Sequence, residues 1–166
     1  MNTVNWIVGL MRENYEAVGF IPEPTVRYRY IELHRYILQS DEAGRPVGYL
    51  LHGAIRFGQP VVVSQHVIDY DRRLSGYGAS ALQELIDRCT YVGASSIHVR
   101  CAADLPSINF WKSESFSDYK TLPGGLSRGR TIHHMIYEFP LPLFNHNGAP
   151  VGADSVTNPL HYTREA

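Results

Sequence analysis

The run Val67-Ile68-Asp69-Tyr70-Asp71-Arg72-Arg73-Leu74-Ser75-Gly76-Tyr77-Gly78-Ala79 constrains this chain more than any other segment. Its start continues a β-branched stretch from Pro60 that reads as a strand, and its end opens the clearest helix in the sequence. Over residues 77 to 92, Leu82, Leu85, Ile86 and Cys89 fall at i, i+3, i+4 and i+7, one apolar face, and Gly93 stops the run. A strand entering an amphipathic helix through a glycine turn calls for a sheet with that helix laid across it, an α/β arrangement. The turn also suits an anion. The first N–H groups of a helix have no intrahelical acceptor and the dipole adds positive potential there, while glycines at 76 and 78 let a phosphate approach the backbone.

The rest of the chain supplies the sheet. Residues 4 to 18 place Trp6, Ile7, Leu10, Met11 and Tyr15 on one helical face, ending near Gly19. Ile21-Pro22-Glu23-Pro24 breaks that helix, and the aromatic and β-branched run from Val26 to Gln39 predicts a strand. Asp41 to Pro46 reads as a turn, and Val47 to Arg56 and Pro60 to Ile68 as a hairpin closed by Phe57-Gly58-Gln59. Centred on Phe57 and Gly58, that hairpin brings Tyr49 opposite His66, and a single register step flips the assignment. Further strands are expected over Ser95 to Cys101, Phe116 to Leu122 and Thr131 to Phe139. Between the first two of these, Leu105 to Glu114 reads as a short helix opened by Asp104 or Pro106. Beyond Pro140 the composition turns to Pro, Asn and Gly with few packing residues. The expected division is therefore a folded domain over 1–140 and an extended or disordered tail over 141–166, one able to pack on a second subunit of a homodimer.

Composition removes several function classes. With 166 residues and a net charge of -1, the chain can bury a core without disulfides or a structural metal and is no nonspecific nucleic-acid coat. No window resembles a membrane span, and the start lacks the basic segment of a signal peptide, so Cys89 and Cys101 are expected to be reduced thiols of a cytoplasmic protein. No metal is expected, because His133 and His134 are strand neighbours pointing to opposite faces.

Arg73-Leu74-Ser75-Gly76-Tyr77-Gly78 fits the Arg/Gln-x-x-Gly-x-Gly/Ala signature of the GNAT acetyltransferase superfamily, and Phe110-Trp111-Lys112-Ser113-Glu114-Ser115-Phe116 resembles its Phe-Tyr-x-x-x-Gly-Phe pattern. Other glycine-rich readings fail: no Lys-Ser/Thr follows for a P-loop, and a Rossmann fingerprint needs one more glycine. The resemblance spans roughly residues 4 to 139. It implies a mixed, mostly antiparallel sheet flanked by helices, in which two neighbouring parallel strands splay apart to admit acetyl-CoA. It implies further that the amides of Arg73, Leu74, Ser75, Gly76, Tyr77 and Gly78 cradle the pyrophosphate. Backbone at Val67 and Ile68 would pair with pantetheine, and Ser107 and Asn109 would lie near the thiol end. Two positions depart from the pattern. Trp111 stands where the family has a tyrosine that protonates the leaving thiolate, and an indole N–H is no proton donor at neutral pH. Ser115 stands where the family has glycine.

The function implied is transfer of an acetyl group from acetyl-CoA to a primary amine by direct attack. His66, on the strand before the glycine turn, is the expected base, with Tyr49 orienting it and Asp104 as a further catalytic candidate. Arg128 and Arg130, in the turn after Pro123-Gly124-Gly125, are candidates for an anionic substrate or phosphate, together with Arg27 and Arg29. That turn is similar to phage-type GNAT proteins akin to Mom-type DNA-modification enzymes, which makes a modifier of a DNA base one alternative. A catalytically silent binding module or assembly subunit is the other.

Overall fold

In the computed structural model, residues 2–124 and 129–139 are described. The chain opens with α1 (Thr3–Glu13), whose first amides are capped by the Asn2 side chain, and α2 (Tyr15–Val18), closed by Gly19. Ile7 and Met11, one turn apart, are fully buried. A short α3 (Glu23–Thr25) follows, with Pro24 in its first turn, where a missing N–H costs nothing.

The expected strand over residues 26 to 35 is instead a π-helical turn, Val26–Ile31. Val26 and Tyr30, four apart, are both buried beside α1, and the Tyr30 hydroxyl bonds Ser64 Oγ at 3.0 Å. Packing of a helical face has overridden a β-prone composition here. The strand that does form, β1 (Tyr36–Ser40), is the last third of the expected run.

β2 (Pro46–His52) and β3 (Pro60–Ile68) form the hairpin, shorter on its first arm than expected. The helix from the glycine turn is α4 (Tyr77–Val92), followed by β4 (Ser96–Ala102), α5 (Ser107–Ser113), β5 (Ser117–Pro123) and β6 (Thr131–Glu138). The six strands lie in the order β1-β2-β3-β4-β6-β5, antiparallel except for β3 against β4. One apolar layer, including Leu82, Leu85, Ile97, Trp111 and Met135, fills the face under α4 and α5. The other, including Ile7, Met11, Tyr49 and Val67, lies under α1.

The β2–β3 register corrects the pairing expected from the turn. Near the turn His52 faces Val63, as the turn centre dictates, but Leu51 faces Gln65, which leaves Ser64 as an extra residue. Beyond this bulge Tyr49 faces Val67 and Leu50 faces His66. The bulge also reverses which face each side chain takes. Val61 and Val63 join the α4–α5 layer, whereas Val67 joins the α1 layer.

Candidate functional site

β3 and β4 pair over only three positions, Pro60 with Ser96, Val61 with Ile97 and Val62 with His98. The Ser64 bulge follows within two residues of the last pair, and a bulge bends its strand and raises its twist. From there the two parallel strands separate. The edges of β3 from Val63 to Ile68 and of β4 from Val99 to Ala102 face each other across a gap with no ladder between them.

At the end of β3 the chain makes a single 3-10 turn, Tyr70–Arg72, and then the glycine turn. Leu74 and Gly76 both adopt positive φ, +61° and +83°. Left-handed residues of this kind occur in the backbone N–H nests that bind anions. Among the described residues, no backbone carbonyl accepts from the N–H groups of Leu74, Ser75 or Gly76. A Cβ on Gly76 would meet no other atom of the described residues within 4 Å, its chain neighbours aside, so the space beside these amides is open. Leu74 is wholly exposed at the tip. Gly78 faces inward, where an added Cβ would stand 3.5 Å from both His66 Cε1 and Phe110 Cε2.

The Arg73 amide donates to the Tyr70 carbonyl at 3.3 Å, and its side chain is engaged as well. Its Nη2 donates to Asn14 Oδ1 at 2.6 Å, its Nε to the Ile68 carbonyl at 3.2 Å, and its guanidinium lies over the Tyr70 ring. The arginine of the signature thus ties the turn to the end of α1.

His66 and Tyr49 lie on opposite faces of the sheet, so Tyr49 does not orient His66. Tyr49 is fully buried and donates its hydroxyl to Gln65 Oε1 at 3.0 Å. His66 points toward α5, with ring centroids 5.5 Å from Phe110 and 5.7 Å from Trp111. Its Nε2 is shielded from solvent and has no hydrogen-bond partner among the described residues. Burial among aromatic rings holds its pKa down to about 4, so the imidazole is neutral at pH 7 and a weak base toward an ammonium ion. Because the unfolded histidine binds its proton near pH 6.5, the unfolded state takes up more protons as pH falls from 6.5 to 4, and stability falls with it. The shift corresponds to a loss of about 3 kcal/mol by pH 4. Urea unfolding at pH 7 and pH 4 should show this extra loss in the wild type and not in His66→Leu. An equal loss in both proteins would mean that the folded imidazole titrates as an exposed one.

Asp104 was expected to catalyse or to cap α5, and does not cap it. The residue before α5 is Pro106, and the Asp104 carboxylate accepts from Arg130 Nε at 3.1 Å. Arg130 Nη1 also donates to the Glu16 carbonyl at 2.7 Å, so Arg130 braces α2 against the end of β4 rather than standing free for phosphate. Arg128 and residues 141–166 lie outside the described residues. Arg27 is paired with Glu23 and Arg29 lies over the Tyr30 ring. Ser107 and Asn109 are exposed on α5, Ser107 with its hydroxyl 3.4 Å from Cys101 Sγ. Cys89 and Cys101 are both free and buried, with their thiol pKa values pushed up by burial. His133 bonds Asp118 at 2.9 Å on one face while His134 lies on the other.

Trp111 occupies its position as a core residue. It is 5% exposed and its ring meets Phe110 and Phe116, each at 5.1 Å between centroids. Ser115 has φ +67°, the left-handed region in which glycine is at ease. Ser115→Gly is therefore expected to stabilise the fold by about 0.5–1 kcal/mol, read as a raised urea midpoint, since relief of strain outweighs the added chain entropy. A lowered midpoint would contradict this account of the turn.

Two features of the site were not anticipated from sequence. The aromatic wall of Phe110 beside His66 depends on the bulge, which no local pattern announces. A row of basic residues on β4, β6 and β5 was legible only as alternation within each strand. His98 and Arg100 alternate with the core residues Ile97, Val99 and Cys101.

No protein-family model matches the chain, and no curated protein matches it in sequence. Solved structures do match it in shape. Ard1 from Thermoplasma volcanium superposes with a TM-score of 0.71 at 14% identity, over 81% of this chain and 90% of that one. An aminoglycoside 6'-N-acetyltransferase complexed with coenzyme A gives 0.69 at 12% identity, over 84% and 92%. The ribosomal-protein alanine N-acetyltransferase from Escherichia coli gives 0.66 at 15% identity, over 93% and 94%. The fold of the chain is the GNAT fold.

Proposed function

We propose that the chain transfers an acetyl group from acetyl-CoA to a primary amine by direct attack within a ternary complex. One observation carries the reading: two parallel strands part after three paired positions, and in the turn that follows the first of them no backbone carbonyl of the described residues accepts from the amides of Leu74, Ser75 and Gly76. The amides from Arg73 to Gly78 would bind the pyrophosphate, the free edge at Val67 and Ile68 would pair with pantetheine, and Ser107 and Asn109 would line the thiol end. Similarity to an acetyltransferase complexed with coenzyme A supports this assignment. Acetyl-CoA supplies an acyl group activated as a thioester. The chain's part is to hold it in the gap and to offer strand-edge N–H groups to the carbonyl oxygen as charge develops there. His66, kept neutral, contributes a polar atom beneath the gap rather than strong base catalysis. The amine therefore reacts from its uncharged form or loses its proton to water. With Trp111 in place of a proton-donating tyrosine, the CoA thiolate departs unprotonated, which is tolerable for a leaving group of low basicity.

The test is release of CoA thiol on incubation with acetyl-CoA and a panel of amines and peptides, with mass spectrometry of the acceptors. Acetylated acceptor with matching thiol release supports the reading. Tight acetyl-CoA binding without turnover on any acceptor would favour the second reading, a silent binding module, for which the buried indole at 111 is the specific support.

A further inference from the structure

Among the described residues, one face of the sheet over β4, β6 and β5 has no helical layer packed along it: α1 and its layer lie on β1 to β3, and α2 reaches the ends of β4 and β6 through Arg130. Arg100 pairs in register with His134, and His134 with Lys120, so the three share this face in a row across the strands. At the usual strand spacing the row is about 10 Å wide. A bulge in β5 between Asp118 and Lys120 turns Tyr119 to the same face, where its hydroxyl lies 3.3 Å from His98 Nδ1 and its ring 6.1 Å from that of His134. Arg100 and Lys120 are exposed, and neither has a carboxylate partner among the described residues. Lys112 and His133, by contrast, are paired with Asp118 on the other face. Of the acidic residues described near this face, Glu138 sits opposite Ser96 at the far end of β4, and Asp104, past the Arg100 end, is paired with Arg130.

The row begins at the gap. Arg100 lies two residues beyond His98, the last β4 residue paired with β3, and so borders the opening. His66, Phe110 and Trp111 cluster on the α4–α5 side of the sheet, the side from which acetyl-CoA would fill the gap in the proposed complex. The acceptor would then enter from the face that carries the row.

We propose that the acceptor is an acidic peptide, whose amine enters the gap while carboxylate side chains further along it lie on Arg100, His134 and Lys120. This deepens the acetyltransferase reading and rests on it for the direction of entry. Arginine at the gap offers a carboxylate two parallel N–H donors, and lysine offers a point charge beyond it. A chain of net charge -1 lacks the wider positive field that a nucleic-acid strand would need.

The experiment uses the full chain and two labelled peptides identical but for Asp and Glu replaced by Asn and Gln after the first residue, in binding and in acetyl transfer. The acidic peptide is expected to bind about tenfold tighter at low salt, with the preference shrinking as ionic strength passes 0.15 M, where screening acts within about 8 Å. The double variant Arg100→Glu, Lys120→Glu should bring the acidic-to-neutral ratio to one or below. Circular dichroism and the urea midpoint check that it folds, and Arg100→Gln alone should lower the ratio severalfold if the reversal does not fold. Equal binding of both peptides, or a single-stranded oligonucleotide outcompeting the acidic peptide, would overturn the proposal. Acidic preference in binding with no acetylation would leave the surface standing and remove the acetyltransferase reading. Acetylation without charge preference would do the reverse.

Discussion

Gly76→Asp should weaken acetyl-CoA binding by about 100-fold or more, equivalent to at least ~2.7 kcal/mol, while leaving the protein folded. Three physical effects act in the same direction. The residue has φ +83°, so an L side chain is strained there, by about 1–2 kcal/mol. The new Cβ enters open space beside the amides of Leu74, Ser75 and Gly76, where no atom of the described residues lies within 4 Å apart from its chain neighbours, so what it would displace is the pyrophosphate of the proposed complex. The carboxylate then sets a negative charge against a pyrophosphate. Asparagine and aspartate tolerate left-handed backbone better than most residues, so the folding cost stays small compared with the binding loss. Gly76→Ala separates the terms, since it keeps the strain and the Cβ but lacks the charge, and should fall between wild type and Asp. Wild-type affinity in Gly76→Asp would mean that the turn only joins β3 to α4.

Trp111→Ala should destabilise the fold by about 3–5 kcal/mol, enough to unfold much of a marginal domain. Trp111 is the centre of an aromatic chain running from His66 and Phe110 to Phe116 and on to Tyr137. Removing it leaves a cavity between α5 and the sheet that rigid ring neighbours cannot fill. His66 would gain access to water, its pKa should rise toward the ordinary histidine value, and the acid sensitivity described above should diminish. Thermal and urea unfolding at pH 7 read the first effect, and the histidine Cε1–H shift against pH reads the second. A loss below about 1 kcal/mol would show that Trp111 is a surface-like residue and would leave its replacement of tyrosine without a packing explanation.

The parts of the fold that sequence made legible are those governed by local pattern. The helix over 77–92 has its boundaries where the apolar spacing and Gly93 put them, and β3 spans the residues its β-branched run marks. The glycine turn was readable in part, because the positive φ at Gly76 favours glycine, while Leu74 takes the same region with nothing in the sequence to announce it. Long-range packing settled the rest. Val26 to Ile31 is helical because Val26 and Tyr30 meet α1, a contact that propensity cannot see. The Ser64 bulge shifted Tyr49 away from His66 by one residue, and a period of two turns one residue into the opposite face. Asp104 and Arg130, proposed for separate roles, are partners of one another, which only the meeting of α2, β4 and β6 decides.

Calorimetric titration of the wild-type chain with acetyl-CoA tests the central claim most directly. Binding with a stoichiometry of one, in the micromolar range, about -8 kcal/mol, is the predicted result, with competition by CoA itself. A folded sample that takes up no heat from acetyl-CoA at millimolar concentration would contradict it, and the parted strands would then be a feature of the fold without a ligand of this class.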